Sequence, residues 1–337
     1  DNKHGLIMTT YKDIRGTHIT TVTTDPPAPV NGQMWYNSTT QVMKGLTENP
    51  TGAWATGGST NTSRKAFSGF GTQTAAIAAG GNTARPGVSI TLNVENYNGS
   101  SWTEVNNINT NRYAHRGTGT STSGIIFGGD TPPKSAATET WDGTNWTEVA
   151  DLNTARYLGS SAGANSTAAL FMGGYEYPGS EVVAIVESWN GSSWTEITDI
   201  NTGRWASSGV GTQTNALIFG GGTPTIVDET EVWNGSSWTE VNDMNTGRAY
   251  HASGGLYTEA LTFGGMTPGE TRVANTEIWN GTSWSETTDI STARASFGGA
   301  GNDSSGLAFS GETATTPTGA TEEWTAPVQT TVTFTAS

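Results

Sequence analysis

The stretch RWASSGVGTQTNALIFGGGTPTIVDETEVWNGSSWTE, residues 204–240, contains the pattern that decides the fold. It begins with Arg204, passes through a polar segment to the apolar run 216–219 and the pair Gly220-Gly221, and ends with a tryptophan-containing segment, 231–240. Short apolar runs bounded by Gly, Asn and Ser are typical of strands joined by turns. We therefore predict four short antiparallel strands in this stretch, the first of them starting at Arg204.

The same pattern recurs along the chain, which is the mark of a repeat protein. The repeated arginine occurs six times, 44 to 48 residues apart, at Arg64, Arg112, Arg156, Arg204, Arg248 and Arg294. The glycine pairs follow in the same order at Gly80-Gly81, Gly128-Gly129, Gly173-Gly174, Gly220-Gly221 and Gly264-Gly265, with Ser310-Gly311 in the sixth unit. A four-stranded sheet of this length cannot bury both faces alone, so the units are expected to stack around an axis.

Two aromatic positions recur in every unit, and they predict how the ring closes. The third strand has Tyr97, Trp141, Trp189, Trp233, Trp279 and Trp324. The fourth has Trp54, Trp102, Trp146, Trp194, Trp238 and Trp284. Trp324 has no tryptophan after it, whereas Trp54 precedes the first repeated arginine, so we predict that the segment around Trp54 completes the last unit.

The hairpin between the third and fourth strands contains an Asn-Gly pair in most units, as at Asn190-Gly191. This pair favours a two-residue turn. Such a turn would place Trp189 opposite Ser192 and Glu187 opposite Trp194, with both indoles on one face of the sheet.

The predicted fold is an all-β, six-bladed β-propeller of four-stranded blades, closed by an N-terminal strand. Three regions follow: an extended N-terminal arm and β-hairpin over residues 1–48, the propeller over 49–326, and a strand-like tail over 327–337. The hairpin strands are expected at 33–36 and 41–46, around the turn Asn37-Ser-Thr-Thr. Val328, Val332 and Phe334 fall at even spacings among threonines, which would put all three on one face of a final strand.

The arginine, the apolar run to Gly-Gly and the two aromatic positions resemble the kelch repeat over roughly residues 50–326. This resemblance implies kelch-like blades. Kelch-like propellers include adaptors, sugar oxidases and binding proteins, so the resemblance alone does not identify an activity.

The N-terminal segment from Tyr11 to Leu46 has a second resemblance, carried by Asp25-Pro-Pro-Ala-Pro-Val-Asn-Gly-Gln-Met-Trp-Tyr-Asn-Ser-Thr-Thr and Lys44-Gly45. It looks like a leader of structural proteins of marine tailed bacteriophages. The resemblance implies a virion protein of the tail, a fibre or the capsid surface, or otherwise an extracellular protein. We expect the arm to contact other virion proteins, and homo-oligomers are compatible with such an arm.

Composition excludes several function classes. The net charge of −15 disfavours binding to nucleic acid. The chain has no run of eighteen apolar residues, so we expect no membrane insertion. The chain has no cysteine, so it cannot form the cysteine-modified tyrosine of a kelch-like sugar oxidase. We expect no cofactor and no enzymatic activity.

Charged residues that recur in every unit are expected to stabilise the blade. The six arginines are matched by Glu95, Glu139, Glu187, Glu231, Glu277 and Glu322. We predict a buried Arg–Glu pair within each blade.

His115 and His251 each lie three residues after a repeated arginine, in the second and fifth units. In a six-fold ring these units are opposite, so the two imidazoles would share a metal if they faced the channel. Phe67 and Phe297 occupy the same position in other units, which favours packing.

Binding is expected where the repeats differ, in the loops that follow the glycine pairs. In a ring these loops lie on one face. The candidate binding residues there are Tyr175, Glu176, Tyr177, Glu181, Lys134, Asp228, Glu270 and Arg272.

Two functions remain. The first is a non-enzymatic adhesion protein of a virion that binds host-surface glycan or another virion protein. The alternative is a glycan hydrolase or lyase whose carboxylate pair the sequence does not reveal.

Overall fold

A computed structural model of the chain describes residues 19–27, 33–48, 52–131, 135–179, 181–327 and 329–334. Every regular element in these ranges is a β-strand, so the predicted all-β class is confirmed. None of the described segments is a helix capable of crossing a membrane. The chain divides into two compact units, one of Gly52–Ala326 and one of Asp1–Thr51 with Pro327–Ser337.

The described part of the larger unit contains six four-stranded antiparallel sheets, in which each strand pairs with the next. The first strands are Ser68–Thr72, Arg116–Thr120, Ser160–Asn165, Ser208–Gly211, Ala252–Leu256 and Gly298–Gly301. The second strands are Ala75–Ala79, Ser123–Phe127, Ala168–Met172, Ala216–Phe219, Glu259–Phe263 and Ser305–Phe309. The third strands are Val94–Tyr97, Thr138–Trp141, Val186–Trp189, Thr230–Trp233, Thr276–Trp279 and Thr321–Thr325. The fourth strands are Trp102–Val105, Trp146–Val149, Trp194–Ile197, Trp238–Val241, Trp284–Thr287 and, for the last sheet, Ala53–Gly57.

The last sheet is completed from the other end of the chain, as predicted. Ala53–Gly57 pairs antiparallel with Thr321–Thr325, and Trp54 lies opposite Trp324. Two two-stranded ribbons lie in the connections, Arg156–Tyr157 with Tyr175–Glu176 and Met266–Thr267 with Thr271–Arg272.

Two cycles of backbone hydrogen bonds join the sheets into a closed, propeller-like ring. In the first, the N–H two residues after each repeated arginine donates to the equivalent carbonyl of the preceding sheet, and Ala66 donates to Ser296 at 2.8 Å to close the cycle. In the second, the second glycine of each pair donates to the next repeated arginine, and Gly311 donates to Arg64 at 2.7 Å. The repeated arginine and glycine therefore lie where neighbouring sheets join.

The core lies between neighbouring sheets. Leu170 and Met172 of the third sheet, for example, pack with Ile218 and Trp238 of the fourth. Each sheet covers an apolar face of the next, which is why a single repeat would leave such a face in water.

The first strands begin later than predicted. The repeated arginine lies four residues before the strand, as Arg204 does before Ser208, and not at its start. The backbone turns between the two, because the residue two positions after the arginine has a φ of 49° to 57° in all six repeats. The arginine side chain is thereby directed into its own sheet.

The predicted two-residue turn between the third and fourth strands is wrong. Trp189 lies opposite Trp194 and Glu187 opposite Glu196, which leaves a four-residue connection. The side-chain oxygen of Asn190 accepts hydrogen bonds from the N–H groups of Ser192 and Ser193, each at 2.9 Å, and this Asx turn lengthens the loop. Both indoles still share one face, with ring centroids 5.4 Å apart.

The described part of the smaller unit contains one sheet, with strands in the order Thr20–Val22, Met34–Asn37, Val42–Glu48 and Gln329–Phe334. The predicted hairpin is present, and the C-terminal strand pairs antiparallel with its second strand. The Asp25 carboxylate accepts hydrogen bonds from Lys44, Asn37 and Trp35, which lower its pKa to about 2. Residues 1–18 of the predicted arm and Val328 of the predicted tail lie outside the described residues.

Candidate functional site

The six loops that follow the glycine pairs share one end of the ring, as expected for equivalent positions in a repeat. The residue after each glycine pair bridges to the residue after a repeated arginine. These bridges are Lys65 with Asn82, Tyr113 with Asp130, Tyr157 with Tyr175, Trp205 with Gly222, Ala249 with Met266 and Ala295 with Glu312. We call this end of the ring the loop face.

The third loop carries four of the predicted binding residues. Tyr175 is partly buried, and its ring is stacked between those of neighbouring aromatic residues. Glu176 pairs with Arg156 through the backbone, and Tyr177 is 42% exposed. Glu181 is exposed, and its carbonyl accepts a hydrogen bond from the Glu176 N–H at 2.9 Å.

The other predicted residues belong to other loops. Asp228 and Glu270 are exposed on two separate loops. Arg272 instead forms an ion pair with Glu312 at 2.5 Å, and Lys134 lies outside the described residues.

Glu312 is the centre of a charged cluster on the loop face. Its carboxylate accepts from Lys65 at 2.7 Å, from Arg85 at 2.6 Å and from Arg272 at 2.5 Å. Burial acts to raise the pKa of Glu312, but the hydrogen bonds from the three cations have the larger combined effect. The pKa of Glu312 is therefore lowered from its usual value. These ion pairs connect the first and fifth repeats to the sixth.

A row of four aromatic residues also lies on the loop face, and only Tyr175 among them was predicted from the sequence to bind a ligand. Tyr157 stacks on Tyr175 with centroids 5.3 Å apart, and Tyr175 stacks on Trp205 at 5.8 Å. Trp205 in turn contacts Tyr250 at 5.5 Å. We call these four residues the aromatic arc.

All four side chains of the aromatic arc are only partly buried. Burial, with Tyr175 nearby, raises the pKa of Tyr250 to about 12, so its hydroxyl remains a donor at neutral pH. The arc thus offers flat apolar surface together with phenolic hydroxyls.

The first strands line a central channel with a cavity of about 190 Å³. Its walls are rich in small and hydroxyl residues, among them Ser160, Ser207 and Ser208. Tyr250 lines the channel as well as belonging to the aromatic arc, so the two features are continuous.

The alternative of a shared metal between His115 and His251 is not supported by their positions. His115 is fully buried beside Gly80 of the neighbouring sheet and is not among the residues lining the channel. His251 packs on Phe219, and its Nδ1 is 2.7 Å from the Thr262 hydroxyl. Within the described ranges, no cluster of three or more His, Asp or Glu side chains is arranged to hold a metal.

The predicted Arg–Glu pairs are present in all six described sheets. The guanidinium-to-carboxylate distances run from 2.6 to 2.9 Å for the pairs of Arg64, Arg112, Arg156, Arg204, Arg248 and Arg294 with Glu95, Glu139, Glu187, Glu231, Glu277 and Glu322. In each pair both side chains are nearly or fully buried. They hold the blades together and are not available to a ligand.

The signal for two residues of the aromatic arc, Tyr157 and Trp205, was present in the sequence. The residue after the repeated arginine differs between repeats: Lys65, Tyr113, Tyr157, Trp205, Ala249 and Ala295. A position that varies within an otherwise regular repeat is a better guide to binding than the loops alone, since blade architecture does not require it.

No family model matches the chain, and no curated protein matches it significantly. The resemblances to kelch repeats and to bacteriophage structural proteins therefore depend on the residues quoted for them.

Proposed function

We propose that this chain is a non-enzymatic adhesion protein that binds carbohydrate on the loop face of its ring. The aromatic arc is the observation that carries the proposal. Sugar rings combine apolar C–H faces with a rim of hydroxyls, and they pack on flat, partly exposed aromatic side chains that have hydrogen-bonding groups beside them. Tyr175, Trp205 and Tyr250 supply such a surface.

The rigidity of the aromatic arc supports this proposal. Tyr157 and Tyr175 lie in paired strands, and the backbone of Trp205 is bonded in both directions to Gly222, at 3.0 and 2.8 Å. The N–H of Tyr250 belongs to the closed hydrogen-bond cycle. The aromatic arc therefore loses little conformational entropy when a ligand binds, and this favours high affinity.

Binding of a fluorescently labelled protein to host-cell polysaccharide tests the proposal. We expect Trp205→Ala to weaken binding by about tenfold or more, as loss of a central aromatic contact does. Tyr257→Ala is the matched control, because Tyr257 is 37% exposed on a turn at the opposite end of the strands. Equal binding by all three proteins would exclude the loop face as the binding surface.

The same incubation tests the enzymatic alternative. An adhesion protein leaves the polysaccharide chain length unchanged, whereas a hydrolase or lyase releases new chain ends. Appearance of reducing or unsaturated ends at a rate proportional to protein concentration would contradict the non-enzymatic proposal.

We further propose that the ring consists of kelch-like blades and belongs to a tailed-bacteriophage virion, with residues 1–48 contacting other virion proteins. The repeated arginines, glycine pairs and aromatic positions support the first part, and the N-terminal leader supports the second. Mass spectrometry of purified particles tests the location. Absence of the chain from intact virions would contradict the virion location. The molar mass of the purified protein, measured by light scattering, gives its oligomeric state.

A further inference from the structure

Arg116 differs from every other described lysine and arginine in its lack of a carboxylate partner. Each of the other ten described cations forms an ion pair with a carboxylate within 4 Å. They are Lys44, Arg64, Lys65, Arg85, Arg112, Arg156, Arg204, Arg248, Arg272 and Arg294. The guanidinium of Arg116 makes one hydrogen bond, to the carbonyl of its neighbour His115 at 3.2 Å. In a chain with twice as many acids as bases, an unpaired arginine is unexpected.

Arg116 lies in the central channel at the start of the second sheet's first strand. The equivalent positions in the other sheets are Ser68, Ser160, Ser208, Ala252 and Gly298, all without charge. Blade architecture therefore does not require a cation here. Burial lowers the pKa of Arg116 to about 10, so it still carries its positive charge at neutral pH.

The channel wall around Arg116 is polar but neutral. No Asp, Glu or Lys occurs among the described residues that line it, and burial holds the pKa of His251 well below its usual value. Tyr250 lines the same space, and among the described residues its hydroxyl has no hydrogen-bond partner. One uncompensated cation and a free hydroxyl donor in a sheltered cavity form a favourable environment for a single carboxylate.

The cavity of about 190 Å³ is large enough for a ligand group. A single water needs only roughly 10–15 Å³ of such space, so the cavity has room for a carboxylate group. The net charge of −15 repels polyanions at long range. A single carboxylate inside the cavity is instead attracted at short range by the guanidinium of Arg116.

We propose that Arg116 binds the carboxylate of an acidic sugar whose ring packs on the aromatic arc. Tyr250 connects the two parts, since it contacts Trp205 in the arc and lines the channel with Arg116. The inference rests on the proposed carbohydrate-binding function and makes it specific: the ligand is a uronic-acid-containing glycan. Arg116 and Tyr250 supply donors to the carboxylate, and Trp205 supplies the stacking surface.

Titration calorimetry with a matched pair of ligands tests the proposal. The probes are a glucuronate-containing oligosaccharide and the same oligosaccharide with its carboxylates reduced to alcohols. We expect the wild-type protein to bind the acidic form about tenfold or more tightly, the range given by a charged hydrogen bond. Arg116→Gln should bind both forms with the weaker affinity. Arg85→Gln, which removes a partly exposed cation elsewhere on the loop face, should keep the preference for the acidic form.

The outcomes separate this inference from the proposed function. Equal binding of both oligosaccharides by the wild-type protein would overturn the role of Arg116 and leave carbohydrate binding intact. If neither oligosaccharide nor the host polysaccharide binds, both proposals fail. Binding of acetate or of a glutamate-rich peptide that depends on Arg116, without binding of the acidic oligosaccharide, would likewise contradict the acidic-sugar inference. Unchanged thermal unfolding of Arg116→Gln shows that the ring remains folded.

Discussion

Trp54 lies directly opposite Trp324 in the last sheet, and the centroids of their rings are 5.4 Å apart. Trp54 also packs edge-to-face on Phe263 at 5.0 Å, and its indole N–H donates to the carbonyl of Thr288 at 3.0 Å. One side chain thus holds the strand that closes the ring both to its own sheet and to the preceding, fifth sheet.

Replacing Trp54 tests the energetic importance of closure. We expect Trp54→Ala to lower the free energy of unfolding by about 1–3 kcal/mol, since it removes packing to both Trp324 and Phe263. Urea unfolding followed by tryptophan fluorescence measures this change. Val88→Ala, at a side chain that is 59% exposed, should leave the midpoint unchanged. A Trp54→Ala midpoint equal to that of the wild type would contradict a stabilising role for the closing strand.

The Arg156–Glu187 pair provides a second prediction. Glu187 accepts from Arg156 at 2.9 Å and from the N–H of Asn153 at 2.7 Å, and both charged side chains are fully buried. Glu187→Gln should lower the free energy of unfolding by about 3–5 kcal/mol, because it leaves Arg156 as an uncompensated buried charge.

Glu196→Gln is the control for this pair. Glu196 lies directly opposite Glu187 on the neighbouring strand but is exposed. Chemical denaturation should show little change for Glu196→Gln. If the two glutamine variants unfold at the same denaturant concentration, the buried pair is not the source of the stability.

Stability should depend on pH through His115. Burial, with the charges of Arg112 and Arg116 nearby, holds the pKa of His115 well below its usual 6.5. Below pH 6.5 the unfolded chain therefore binds a proton that the folded protein does not, so stability falls as the pH drops toward the folded-state pKa.

His115→Phe should remove this dependence. Phenylalanine occupies the equivalent position at Phe67 and Phe297, so the substitution fits the repeat. Between pH 7 and pH 5 the variant should lose about 1–2 kcal/mol less than the wild type. Thermal and urea unfolding at both pH values measure the difference, and parallel profiles for the two proteins would show that His115 does not titrate on unfolding.

Much of the ring could be predicted from the sequence, because each repeated residue has a structural role that recurs. The arginine pairs with the glutamate, the second glycine of each pair bonds to the next arginine, and the unmatched Trp54 and Trp324 predict closure. The turn register could not be predicted from Asn190-Gly191 alone. The outcome depends on the side-chain bonds from Asn190 to the following N–H groups.

The candidate site was less predictable, because it depends on contacts between repeats. Tyr157 and Tyr175 belong to the third repeat, and Trp205 of the fourth repeat meets them only when the sheets are joined. Arg272 was expected to contact a ligand, but its pairing with Glu312 depends on a residue 40 positions away. The unpaired guanidinium of Arg116 could not be predicted from the sequence, because it depends on which carboxylates the other described cations contact.

Hydrogen–deuterium exchange with bound host polysaccharide tests the central claim, that carbohydrate binds on the loop face at the aromatic arc, most directly. The account predicts slower exchange in the segments 157–158, 175–177, 205–206 and 250–251. It predicts no change in the turns at the opposite end of the strands, such as 256–259. Protection confined to those turns, or spread equally over both ends of the ring, would contradict it.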